Sequence, residues 1–223
     1  TRLQGDWSSD VCSSDLIISR ANSLGFTVYT VDNCPENPGH DLAEKSFNHS
    51  VTDKDAILKL AQRLNLDAVI GYASDVCNLT AVWVSHQLDL PTTDLNAVQQ
   101  LSDKLNFKTL LSEQNLQNQQ FEDLTGNGSE PLFENLNNKW PIVIKPVLSS
   151  GSKGISVVNH QSQLDSAIEK AKAAAIDGRI MAESYIQKSG RQVCGDGFMW
   201  QGSLCFLGLG DGYFHDKEDL LAP

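Results

Sequence analysis

Lys145, Lys153 and the glycines at 151 and 154 are the residues whose types and spacing could do chemistry. They lie within residues 141–159, PIVIKPVLSSGSKGISVVN. Ile142, Val143 and Ile144 predict a buried strand, and Lys145 comes straight off its end. Pro146, with no N–H to donate, closes that ladder. A small polar loop follows, Ser149, Ser150, Gly151, Ser152, Lys153 and Gly154, and the β-branched run 155–158 returns the chain to the sheet. A hairpin with two glycines can bring bare backbone N–H groups within reach of a phosphate chain. Lys145 adds a point charge from a rigid strand and Lys153 adds one from the tip. The order is not that of a Walker A loop, which needs GxxxxGK[ST] between a strand and a helix. Nor is it that of a protein kinase, whose glycine loop precedes the strand lysine. Taken alone, the same residues also describe an ordinary hairpin with a soluble tip.

Positioning these groups falls to alternating strands and helices. Residues 17–24 predict the tail of a helix, with Gly25 as its C-cap before a strand over 26–31. Asp32 ends that strand, where doubly wound folds often hold a ribose hydroxyl. The glycine fingerprint that should precede it is absent, so Asp32 is read first as a turn residue. A short strand is expected over 46–51. A helix over 52–65 follows, capped by Thr52, with Asp55 in a capping-box-like position. Its apolar stripe is Ile57, Leu58, Leu60, Ala61 and Leu64. Residues 67–71, DAVIG, predict a buried strand and 75–88 a helix, which together imply a parallel sheet covered on both faces.

Residues 96–114 predict two short helices, the second starting near Asp103, so that Lys104 and Lys108 share a face. The Gln/Asn-rich stretch 115–128 is the expected linker. Beyond the hairpin, 162–175 predicts a helix and 180–186, IMAESYI, a strand with Tyr185 turned into the core. Residues 191–199 and 203–209 predict an antiparallel pair around 200–202. If Met199 faced Ser203, Cys205 would lie opposite Gly197, about 10 Å along the strand from Cys194. That is beyond the reach of a disulfide, so both thiols are expected to be reduced.

The 223 residues are 40% hydrophobic and 20% charged, the balance of a globular chain rather than a disordered or membrane one. No apolar run approaches the roughly 18–20 residues of a spanning helix. A net charge of −11 without a basic patch argues against nucleic acid as a partner. The five cysteines show no CxxC and no metal-ligand spacing, so reduced thiols and a cytoplasmic location are expected. Residues 1–16, TRLQGDWSSDVCSSDL, have no periodicity and no signal-peptide layout. They resemble a translated sequencing-adapter segment and stand outside the fold reading. The expected domains are 17–93, a parallel α/β unit without its first strand, and 94–223.

In order, DKLNFKTLL, PIVIKPVLSSGSKGISVV and MAESYIQKSGRQVCGDGF resemble the ATP-grasp superfamily, nearest to carbamoyl-phosphate-synthase-like and biotin-carboxylase-like ligases. The likeness covers about residue 17 to the C-terminus. It implies an α/β fold class: a Rossmann-like pre-ATP-grasp parallel unit, then a partial ATP-grasp fold of two α+β lobes, the second truncated. It also implies ATP as cofactor, and a ligase that joins a small-molecule carboxylate to an amine or thiol through an acyl phosphate. A homodimer is compatible with it. By this resemblance Lys145 binds the phosphates with Lys104 as helper, and Ser150, Gly151, Ser152, Lys153 and Gly154 close over them. The backbone carbonyl of Glu183 or Ser184 and the N–H of Ile186 read the adenine edge.

Gln192 stands where the family commonly has a ribose-holding Glu, so it can accept a hydroxyl hydrogen bond but carries no charge. Mg2+ is implied as well, its ligands expected beyond residue 223. Asp196, Asp211, His215, Asp216 and Glu218 are read as loop and turn residues, so no metal ligand is assigned. Residues 208–212, GLGDG, are read as a turn. Asp75, Val76 and Cys77 mark where the first domain would line an acceptor site. Two other readings remain: a nucleotide-binding module without catalysis, and a structural or interaction domain that has lost the pocket.

Overall fold

The computed structural model describes residues 13–72, 74–117, 119–126, 140–187 and 189–212. The chain divides into two compact units, Thr1–Leu116 and Gln117–Pro223.

The first unit begins with helix α1, Ser13–Ser23, so the end of the segment set aside above is helical and Ile18 is fully buried. Gly25 follows with φ +83, a left-handed conformation that glycine takes without steric cost. Strands β1, Tyr29–Asp32, and β2, Lys45–Asn48, pair in parallel from Tyr29↔Lys45 to Asp32↔Asn48. β1 starts later than expected, and Phe26 is exposed. Asp32 is buried; its carboxylate accepts from the Cys34 N–H at 2.5 Å and from Asn37 Nδ2 at 2.6 Å. Both oxygens are thus committed to the turn.

Helix α2, Lys54–Leu64, is capped by Asp53 rather than Thr52, its Oδ1 accepting from the Ala56 N–H at 3.0 Å. A carboxylate suits the positive end of the helix better than a hydroxyl, and Thr52 instead meets Ser50 at 2.9 Å. Residues 67–71 form no ladder among the described residues. Val69 is buried but Ile70 is 41% exposed, so the run alternates instead of burying both faces. Ser85 Oγ donates to the Val69 carbonyl at 3.3 Å from helix α3, Asp75–Gln87. Side-chain packing on α3 and this bond stand where sheet pairing was expected. Helices α4, Leu95–Ser102, and α5, Lys104–Glu113, complete the unit.

Gly71 lies directly on α3: a Cβ there would stand 2.3 Å from the Asn78 nitrogen and 2.4 Å from the Cys77 carbonyl carbon. Backbone cannot yield as a flexible side chain can. Gly71→Ala is therefore expected to lower stability by about 1–3 kcal/mol, the usual cost of overpacking. Urea denaturation checks this, and an unchanged midpoint would mean that this contact is loose.

The second unit is built on a four-stranded antiparallel sheet. Its strands are β3, Phe121–Asp123, β4, Ile142–Pro146, β5, Ser156–Val158, and β6, Ile180–Ser184. Their order is β3-β6-β4-β5. The expected hairpin is present as β4 and β5, in register from Ile142↔Val158 to Ile144↔Ser156. β3 falls inside the stretch expected to be only a linker. Helix α6, Leu164–Ala174, packs on one face of the sheet, where Ile142, Ile144, Val158, Ile180 and Ala182 meet Leu164, Ala167 and Ala171. The strand alternation then assigns Val143, Lys145, Met181 and Glu183 to the opposite face.

Strands β7, Gln192–Trp200, and β8, Ser203–Gly212, form a separate antiparallel ribbon. Gln201 and Gly202 both have positive φ, 48° and 79°, as a two-residue type I′ turn requires. That tight turn draws Trp200 into the ladder opposite Ser203, one place beyond the expected Met199–Ser203 pairing. A bulge between Phe198 and Met199 takes up Cys205, while Cys194 faces Gly210, so the thiols stay far apart and both are free. Asp196, Asp211 and residues 208–212 are strand residues here, not turn residues. His215, Asp216 and Glu218 lie outside the described residues.

Candidate functional site

Lys145 and Glu183 lie together on the face of the second unit's sheet opposite α6. Val143 pairs with Glu183 and Lys145 with Met181 across β4 and β6, which makes Lys145 and Glu183 diagonal neighbours. Lys145 Nζ donates to Glu183 Oε1 at 2.7 Å, with the two side chains only 14% and 10% exposed. A largely buried carboxylate in an otherwise apolar strand needs such a cation, because an uncompensated charge there would be costly. The ammonium has three donors, so the ion pair fixes its direction and leaves it able to meet an anion as well.

The loop that leaves β4 is pinned at both ends and open at its tip. The Val147 N–H donates to the Arg179 carbonyl at 2.9 Å, and the Ile176 N–H to the Leu148 carbonyl at 3.3 Å. At the far end Lys170 Nζ donates to the Ile155 carbonyl at 3.1 Å. Gly154 is buried with φ +76, and a Cβ there would stand 2.6 Å from Ala174 Cβ. It is the point where the loop rests on α6. Gly151 and Ser152 are successive left-handed residues, φ +64 and +54, exposed together with Lys153. Ser150 is half-buried.

At the end of β6 the backbone groups divide by side. The Ser184 N–H donates to the Gln120 carbonyl at 2.9 Å, and the Tyr185 N–H, turned the other way, to the Pro141 carbonyl at 3.3 Å. The Ser184 carbonyl accepts from Gln119 Nε2 at 2.7 Å. Ile186 is 65% exposed. Tyr185 is half-buried rather than in the core, because regular pairing of β6 ends at Ser184.

The structure brings Lys145 and Glu183 into contact and places the glycine loop directly after Lys145. Lys104 lies in the first unit, in the first turn of α5 behind the buried N-cap Asp103. Gln192 opens β7 and is exposed. Sequence reasoning missed two contacts, the Glu183 side chain on Lys145 and Gln119 on Ser184. A lone Glu in IMAES was the only signal for the first; the second left none. Among the described residues, no three or more His, Cys, Asp or Glu are grouped to hold a metal ion. No step is assigned to a magnesium ion. No helix among the described residues is long and apolar enough to cross a membrane.

The fold is α/β, and in its second unit a glycine loop joins two antiparallel strands beside the Lys145–Glu183 ion pair. The family described as D-ala D-ala ligase C-terminus matches residues 103–195. Formate-dependent phosphoribosylglycinamide formyltransferase of Parasynechococcus marenigrum (strain WH8102) is 29% identical over 171 residues, 75% of this chain and 44% of that protein. N5-carboxyaminoimidazole synthetase from Staphylococcus aureus, complexed with ADP, superposes with a TM-score of 0.69 at 16% identity, covering 96% of this chain and 55% of that one. An L-amino acid ligase from Bacillus licheniformis gives 0.67 at 18%, covering 94% and 50%. These likenesses together point to the ATP-grasp superfamily. It spans less than half the length of the curated relatives it matches.

Proposed function

We propose that this chain is the nucleotide-holding part of an ATP-dependent ligase that joins a small-molecule carboxylate to an amine. The observation that carries the reading is the Lys145–Glu183 ion pair at the foot of a glycine loop. It is a directed, largely desolvated cation where a phosphate chain would meet loop N–H groups. In this reading the substrate carboxylate attacks the γ-phosphorus of ATP, the bond to the β-γ bridging oxygen breaks, and ADP leaves. The amine then attacks the acyl carbon of the acyl phosphate; inorganic phosphate leaves and the amine loses a proton. Little covalent work is required of the protein, whose part is positioning and charge neutralisation.

Lys145 would hold the phosphates, and the tip 151–153 would close over them with its N–H groups. The Ser184 carbonyl and the Ile186 N–H would meet the 6-amino group and N1 of adenine. The Ser184 carbonyl lies on the β3 side of β6, where Gln119 meets it, and Ile186 follows just beyond the end of the strand.

The test is calorimetric binding of ADP, with GDP as control, followed by ATP turnover with carboxylate and amine pairs. ADP is expected to bind and GDP, which presents an oxygen at position 6, to bind at least about tenfold more weakly, as expected when buried polar groups are left unmatched. Phosphate release requiring both a carboxylate and an amine would support the ligase reading. ADP binding with no such turnover from the intact protein would leave a binding module, and no ADP binding at all would overturn the proposal.

A further inference from the structure

The hydrogen-bonding edge at the end of β6 is already occupied from within the chain. β3 runs alongside β6 in register from Phe121↔Glu183 to Asp123↔Met181, and the Gln120 carbonyl extends that ladder by accepting the Ser184 N–H. The next group on the same edge is the Ser184 carbonyl. A strand would meet it with a backbone N–H. Here the Ser184 carbonyl is met by a side chain, Gln119 Nε2 at 2.7 Å. Only the amide nitrogen can serve on a carbonyl, so the orientation of this carboxamide is decided by its partner.

We propose that Gln119 is an internal stand-in for the adenine edge, and that it sets nucleotide affinity by competing for the Ser184 carbonyl. This rests on the reading of that edge as the base site. A carboxamide offers a donor beside an acceptor on a planar group, the pattern that the 6-amino group and N1 of adenine present. The contact is half-buried, so Gln119 keeps the carbonyl satisfied while no nucleotide is bound. The base must displace it, and the apparent dissociation constant rises by the factor that the closed arrangement is favoured over the open one. A single hydrogen bond of ordinary net strength makes that factor about 2–12.

The experiment compares ADP and pyrophosphate binding to the wild-type chain and to Gln119→Ala by calorimetry. Gln119→Ala is expected to bind ADP about 2–12-fold more tightly and to bind pyrophosphate, which has no base, as the wild type does. Gln119→Glu, which has no N–H to donate, is expected to tighten ADP binding too, and it retains most of the side-chain volume should the truncation disturb folding. ADP binding by the wild type with no gain in either variant would overturn the competition while leaving the site reading standing. Weaker binding in both would also overturn it and make Gln119 part of the bound state. Absence of ADP binding in every variant would remove the base site itself and this inference with it.

Discussion

Lys145→Ala is expected to weaken ADP binding by about 10–150-fold, the loss of one charge-assisted contact to phosphate. Lys153→Ala should change ground-state affinity by less than about threefold. Lys145 is held on a strand by its 2.7 Å bond to Glu183, so little side-chain freedom is lost when phosphate arrives. Lys153 is exposed at the loop tip, and ordering it costs about 1.5–2 kcal/mol of rotamer entropy, which offsets most of what its contact would give. Its contribution should appear in turnover, when the loop closes over developing charge.

The same ion pair complicates the measurement in a useful way. Lys145→Ala leaves Glu183 without its cation at 10% side-chain exposure. Folding stability is expected to fall by about 3 kcal/mol, the lower end for breaking a buried pair. Lys145→Met with Glu183→Gln removes both charges and should recover most of that stability without recovering ADP affinity. Urea denaturation and calorimetry on the three variants separate the two roles. Equal, small losses of affinity for the 145 and 153 variants would return the hairpin to an ordinary one.

The second large effect is expected at Gly154. Two costs combine there: a left-handed φ of +76 and a Cβ placed 2.6 Å from Ala174 Cβ and 3.0 Å from Pro146 Cγ. The conformation costs about 1–2 kcal/mol for a residue with a side chain, and the overpacking about 1–3 kcal/mol. Gly151→Ala is the control, with φ +64 and nothing within 4 Å of the added methyl. It should show the conformational cost alone. Gly154→Ala should therefore unfold at clearly lower urea than Gly151→Ala. It should also lose ADP affinity, since Gly154 is where the loop rests on α6. Equal midpoints for the two variants would mean that the loop is not anchored there.

The elements legible in the sequence were those whose causes are local. The β4–β5 hairpin follows from two β-branched runs around a glycine loop. α2, α3 and α6 follow from apolar periodicity, and the start of α5 from Asp103, whose carboxylate accepts from the Asn106 N–H at 2.9 Å. Such signals act over a few residues and survive into the fold. Where two local caps competed, Thr52 and Asp53, the stronger acceptor took the helix end. Register and partnership were decided only by tertiary structure. The type I′ turn at Gln201–Gly202 moved the β7–β8 ladder by one place and put Cys205 in a bulge. Residues 67–71 have the composition of a strand, but a ladder needs a neighbour with free edge groups, and packing on α3 met their burial instead.

The site shows the same division. Lys145 and the glycine loop could be named from residue types alone. The Glu183 side chain could not, because it reaches Lys145 only through the β4–β6 register, 38 positions away in the chain. Gln119 meets Ser184 across 65 positions, in a stretch whose composition signals only a linker. Hydrogen bonds across such separations depend on how strands align, and strand alignment is a property of the packed sheet.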